Sequence, residues 1–434
     1  MHCRGVFVMV AAALVCAAVP VAALGDDPLD QPAQGLAPAV RMMPAADVVS
    51  VSEFGAMKPA TVDRIEEIGR SLGIPSARGR SYAAGATTVW RGDTVVQQAS
   101  GSSGYWQYPV VITALPVEAL GPIMGLDVSA TVAAGDIVLS ATGAALRTAQ
   151  VGDVIEVVRA DRYAVRYRVG LIAPDAQVGG AEIVMSNGSA DLLGAGATTR
   201  VLFFGRFVRA DLDAALAAAG LVDNNGVRVT HSWAPPNPDG LLGLARTKAL
   251  LGEFDYRINR DDTLTLDPAW VGANIVFVQY SPIKVRASCH RRVIADLDAA
   301  LAEIAELGLA PYFDVADTNQ WGGCWNPRYA RASSTVGSVS RHAWGMAFDM
   351  NVSTNGQGRQ PRLDCRIVRI FRKHGFAWGG NFLYPDGMHL EWVGEQRNIW
   401  QYPSAYCPNL PDGGVAAARA PVPAATARDT MFAD

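Results

Sequence analysis

Lysine is scarce in this chain. Only Lys58, Lys248, Lys284 and Lys373 stand among 37 basic residues, and the net charge is −4. Nothing in that balance favours a polyanion, so nucleic acid and anionic membrane are not expected partners. After the first 24 residues no apolar run is long enough to cross a bilayer. Six cysteines occur without a single Cys-x-x-Cys, which excludes the usual spacing of a four-cysteine zinc site. Six histidines occur without a His-Glu-x-x-His, which excludes a helix-borne metalloprotease site. What is present is globular material: 434 residues, half of them hydrophobic, enough for two or three domains with real cores.

The opening "MHCRGVFVMVAAALVCAAVPVAALGDD" has a charged start, an apolar run and small residues before an acidic break. It reads as a signal peptide over residues 1–25, cut near Ala23 or Gly25, so the mature chain is expected outside the membrane, secreted or associated with the cell wall. Membrane contact follows only if the leader is kept. Removing it discards Cys3 and Cys16 and leaves Cys289, Cys324, Cys365 and Cys407. An even count in an oxidising compartment predicts two disulfides, with three pairings open.

Residues 26–45 are rich in Pro and Ala and read as a linker. Residues 46–207 are β-rich, with short runs such as "DVIEVV" and "YAVRYRVGLI" between Gly, Asp and Asn. Within them Gly135 to Val158 is similar to extracytoplasmic domains of bacterial transporter permeases, which implies at most a shared β module. Residues 208–280 mix helix and strand. "ADLDAAL" recurs at Ala210 and Ala295 in unmatched surroundings, which predicts two similar amphipathic helices and no duplicated domain. Residues 281–408 form the last unit. One helical face runs through Val293, Leu297, Ala300, Leu301 and Ile304, and another through Leu363, Ile367, Ile370, Phe371 and His374. The Ala/Pro/Gly-rich tail 409–434 is predicted disordered.

Chemistry concentrates in two short stretches. "SVSRHAWGMAFDMN" carries His342 and Asp349, and "YPDGMHLEW" carries Asp386, His389 and Glu391. Two imidazoles and one carboxylate are the ligand set of a catalytic zinc that leaves a fourth position for water. A further carboxylate must then take a proton, and Asp386 or Glu391 could serve. "MAFDMNV" and "MHLEW" both read as strands, so neighbouring strands would bring the three ligands together, and period two puts His389 and Glu391 on one face. His374 lies on an apolar helix face and is expected in the core. "SPIK", Ser281 to Lys284, has the Ser-x-x-Lys spacing of serine penicillin-binding proteins but lacks their supporting elements. Cys289 beside His290 suggests a nucleophile pair only superficially, since adjacent side chains diverge.

Ser340, His342, Gly345, Ala347 and Asp349 complete a Ser-x-His-x-x-Gly-x-Ala-x-Asp motif, and Asp386 precedes His389 by three residues. In these residues the chain resembles the VanY-type zinc D-alanyl-D-alanine carboxypeptidases and the related L-alanyl-D-glutamate endopeptidases, over about Cys289 to Trp392. "DGMHLE" and "GFAWGGNF" are closer to the endopeptidase branch. The resemblance implies an α+β protein whose C-terminal domain is a hedgehog/DD-peptidase-like antiparallel sheet with flanking helices, preceded by the β-rich region. It implies zinc on His342, Asp349 and His389, Asp386 as general base, and Arg328 holding substrate or oxyanion, with Arg331 and Arg341 as competitors. Ser340 is placed as a supporting hydrogen-bonding group and Trp378 as a wall of the cleft. The implied function is an exported zinc metallopeptidase acting on peptidoglycan stem peptides. Which bond it cuts stays open. The rival is a zinc-stabilised protein that binds cell wall or a partner without hydrolysis, because the hedgehog scaffold does not oblige catalysis.

Overall fold

A computed structural model describes residues 46–100, 106–159, 163–223, 226–260, 263–283, 285–313, 321–330, 338–410, 427–428 and 430–432. The signal peptide and linker expected over 1–45, Lys284 of the Ser-x-x-Lys stretch, Arg331 and most of the C-terminal tail lie outside them. The architecture is α+β, with ten α-helices and several sheets among the described residues.

The largest sheet closes on itself. Strand Ser76–Arg91 pairs with Tyr108–Leu115 on one side and with Val154–Val158 on the other. Ile183–Ser186, Ile137–Ser140 and Ala164–Ala173 complete the ring of six, two of whose pairings are parallel. Alternation fills its interior: Val110 and Ile112, Ile155 and Val157, and Tyr167 and Val169 all point into one apolar cluster. Two crossings share a local design that the sequence states openly. "IVLS" ends in Ser140 and "IVMS" in Ser186, and each serine caps a six-residue helix by accepting from Gly143 N or Ser189 N. The repeat that matters lies here, and the two "ADLDAAL" copies are indeed unrelated helices, Arg209–Ala218 and Ile294–Glu306.

The first four residues of strand Ser76–Arg91 extend the ring into a flank with Arg200–Gly205, Asp47–Glu53 and Val227–His231. Helices Pro59–Leu72 and Arg209–Ala218 cover that flank. The C-terminal part is a four-stranded antiparallel sheet in the order Trp321–Gly323, Ala347–Met350, His389–Trp392, Phe376–Trp378. Helices Ile294–Glu306 and Cys365–Lys373 pack on it through the apolar faces read from the sequence. Asp364 caps the second by accepting from Arg366 N. Disulfides join Cys289 to Cys324 and Cys365 to Cys407, which selects one of the three pairings and removes Cys289 as a nucleophile.

Two features fall outside the sequence reading. A buried charge network of Arg147, Glu182, Lys248 and Glu253 ties the closed ring to the C-terminal part, each side chain at most 7% exposed. The end of the tail, expected to be disordered, is docked. Met431 and Phe432 are buried against the ring, Phe432 N donates to Gly179 O, and Arg428 donates to Ala46 O and Ile123 O. The Ala/Pro/Gly-rich composition of the tail conceals this apolar pair, whose partners come from distant strands and helices.

Candidate metal centre

The spacing of the first motif follows from local geometry. Ser340 accepts from His342 N at 3.3 Å and starts a single 3-10 turn, Arg341–Trp344. Gly345 ends it in the left-handed region at φ 64°, where an added Cβ would lie 2.8 Å from His290 N, so only glycine fits. The turn aims His342 inward, and strand Ala347–Met350 begins at a buried alanine facing Glu391 across the ladder. Asp349 then stands directly opposite His389 on strand His389–Trp392. Neighbouring antiparallel strands thus produce the convergence that period two predicts.

His342, Asp349 and His389 each offer a ligand atom within 4.8 Å of the others. His342 Nδ1 faces Cys324 O at 2.8 Å, which fixes the ring and leaves Nε2 pointing at the cluster. That Nε2 is 3.2 Å from Asp349 Oδ2, yet it is buried without a hydrogen bond. His389 Nδ1 lies 3.1 Å from Asp349 Oδ1, and its Nε2 lies 3.3 Å from Glu391 Oε2. Burial disfavours charge on Asp349, but His342 and His389 override it and hold the carboxyl well below its usual range. Burial likewise opposes a charged His389, and Asp349 and Glu391 outweigh it, raising the imidazole to about 10. An orphaned buried imidazole nitrogen beside a carboxylate and a second imidazole is a donor set that fits zinc.

The two carboxylates offered as base are separated by the structure. Glu391 is 1% exposed, faces the back of His389, and has Arg341 Nε at 3.4 Å from its other oxygen. It orients the imidazole. Glu391→Gln is therefore expected to weaken zinc binding about 10- to 100-fold with the fold unchanged, as read by competition with a chromophoric chelator. Asp386 projects from the turn after Gly379. Its N donates to Gly379 O at 2.8 Å, and a Cβ on Gly379 would lie 2.5 Å from Asp386 O. Asp386 Oδ1 is buried without a hydrogen bond. Burial pushes this carboxyl up to about 6, with His389 and His342 acting in the opposite direction.

Arg328 is close enough for its charge to lower the Asp386 pKa. Its Nη1 donates to Tyr329 O, and its own carbonyl accepts from Ser340 N at 3.0 Å. Arg341, the competitor, is turned away: it donates to Leu242 O and Thr247 Oγ1 behind Glu391. Trp378 is not a cleft wall. Its indole is 1% exposed and donates to Gly387 O, supporting the Asp386–Gly387 turn from beneath. His374 caps its helix and meets Glu303 at 2.7 Å, so it belongs neither to the cluster nor to the deep core. His290 is a satisfied core histidine against Leu251 O, and burial lowers it to about 4.

Sequence reasoning missed Asp239. Buried in a proline loop, it takes Arg372 in a two-point ion pair and accepts from Trp378 N and Asn381 Nδ2. The only signal was a lone aspartate in "PPNPDG".

Residues 333–392 match the family model described as D-alanyl-D-alanine carboxypeptidase. The matched stretch contains the His342–Asp349–His389 cluster, Asp386 and Glu391, and it leaves out Arg328 and everything before residue 333. The match supports a peptidase. No curated protein matches the chain.

Proposed function

We propose that this protein is an exported zinc metallopeptidase of the family that holds the VanY-type D-alanyl-D-alanine carboxypeptidases and the L-alanyl-D-glutamate endopeptidases. It hydrolyses peptide bonds in peptidoglycan stem peptides as one or the other, with a C-terminal domain of the hedgehog/DD-peptidase kind. The observation that carries this reading is a pair of orphaned buried atoms, His342 Nε2 within the three-ligand cluster and Oδ1 of Asp386, a carboxylate that feels the charge of all three ligands. Zinc on His342, Asp349 and His389 would supply Lewis-acid polarisation of the scissile carbonyl and acidify water. Asp386 Oδ1 takes the proton from the attacking water and returns it to the leaving amine nitrogen. Arg328, beside Asp386, meets negative charge, either a substrate carboxylate or the oxygen of the carbonyl under attack. Glu391 keeps the His389 ring in register by accepting from Nε2–H. Metal and proton compete for the cluster side of His389, so zinc uptake strengthens as pH rises.

The direct test is digestion of purified wall fragments followed by mass spectrometry of the muropeptides. Loss of a stem-peptide residue or cross-link that stops on chelation and resumes on adding zinc is expected. Zinc binding with no cleavage of any fragment would instead select the non-catalytic wall-binding reading.

A further inference from the structure

The turn that carries Asp386 is held partly by residues outside the stretch matched by the peptidase family, Arg228, Asp239 and Phe54, and partly by Gly358 within it. Asn381 O accepts from Arg228 Nη2 at 2.7 Å, and Asn381 Nδ2 donates to Asp239 Oδ2 at 2.7 Å. Tyr384 stacks on Phe54 with ring centroids 4.7 Å apart and planes 22° apart. On its other side Tyr384 faces Gly358, where an added Cβ would lie 2.3 Å from the phenol oxygen. Gly358 N also donates to Pro385 O at 2.7 Å.

Phe54 and Arg228 belong together. Strands Asp47–Glu53 and Val227–His231 are paired with Ser52 opposite Arg228 and Glu53 opposite Val227, so both residues stand at the same corner of the sheet. The turn presenting Phe54 is itself pinned: Glu53 accepts from Lys58 N and Thr61 Oγ1, and Met57 N donates to Thr198 O. A stacked pair of aromatics 44% and 42% exposed contributes little to the core, so its placement is better explained by what it restrains.

We propose that the N-terminal region is a working part of the site, with Phe54 and Arg228 as positioning residues for the turn Gly379–Gly387 and through it for Asp386. This rests on the reading of Asp386 given above and assigns a role to residues in which no chemistry is visible. A carboxylate that must meet a reacting atom to within a fraction of an ångström needs a rigid support. Within residues 379–387 the backbone supplies Asp386 N and Phe382 N on Gly379 O, and Trp378, Gly358 and His389 add one hydrogen bond each at its far end. That leaves the Asn381–Tyr384 stretch to Arg228, Asp239, Tyr406 and Phe54.

The experiment compares the full chain with Phe54→Ala and with Phe54→Ala/Arg228→Ala. Amide exchange over 379–387 is read by mass spectrometry, alongside zinc content and turnover of wall fragments. Losing one stacked aromatic pair is expected to speed exchange in that segment roughly three- to tenfold. Zinc content should be unchanged, kcat should fall about tenfold with KM nearly constant, and Phe54→Trp should restore both. Exchange over 379–387 that matches the parent in the double variant overturns the proposal, as does acceleration spread evenly over the chain. A zinc-loaded parent that cleaves no fragment refutes the peptidase reading alone, and the exchange result still judges the support.

Discussion

Asp386→Ala is expected to keep its zinc and to hydrolyse wall fragments about 10²- to 10⁴-fold more slowly, the usual contribution of a positioned general base. The three side chains of the candidate metal cluster do not include Asp386, so metal content should be untouched. Glu391 cannot stand in, because it is buried against His389 Nε2 and Arg341. Full hydrolysis by a zinc-loaded Asp386→Ala protein would remove Asp386 from the mechanism. The base works only when ionised, and burial raises this carboxyl to about 6. Activity should therefore be present above that value and fall as pH drops through it. A cation on the neighbouring cluster moves the acid limb lower, so a pH–kcat profile should bend at or below about 6.

Lys248→Met should lower the stability of the fold by about 3–5 kcal/mol, the cost of removing one partner from a buried ion pair. Lys248 Nζ meets Glu182 and Glu253 and donates to Pro109 O, with no exposure of its own. Removing it leaves Arg147 alone to balance two buried carboxylates. A urea titration reads the loss, and Lys248→Met/Glu182→Gln should recover part of it. A loss under about 1 kcal/mol would mean that water already relaxes the network. The same network makes stability acid-sensitive. Burial opposes the charge on Glu253, but Arg147 and Lys248 prevail and hold its carboxyl below the usual value. A lowered folded pKa stabilises above the ordinary glutamate pKa of about 4, and the stabilisation fades as pH falls below it.

The His342–Asp349–His389 cluster was legible because its signals are local. Ser340 caps a turn, Gly345 ends it, and period two carries Asp349 and His389 to facing positions, so spacing nearly dictates geometry. The residues alone left Asp386 and Glu391 open as base, and only the resemblance pointed to Asp386; that Glu391 is held between His389 Nε2 and Arg341 shows only in the fold. Trp378 illustrates the same limit: read from the sequence as a wall of the cleft, it is 1% exposed and donates to Gly387 O beneath the turn. The closed ring was hidden because each short apolar strand looks alike in isolation, and closure depends on parallel pairings between distant segments such as Tyr108–Leu115 with Ile183–Ser186. The cysteine pairing was hidden for a related reason, as all four lie in one compact region.

The contact of Arg428 with Ala46 bears on how the fold would carry a mechanical load. Strand Asp47–Glu53 is laced to a neighbour on each side, Val227–His231 and Arg200–Gly205. A load entering the fold at residue 46 would thus be borne by an inner strand, the hardest kind to peel, with Arg428 as a rivet at its base. Tension applied at that point would reach the Phe54 corner before it reached either disulfide loop.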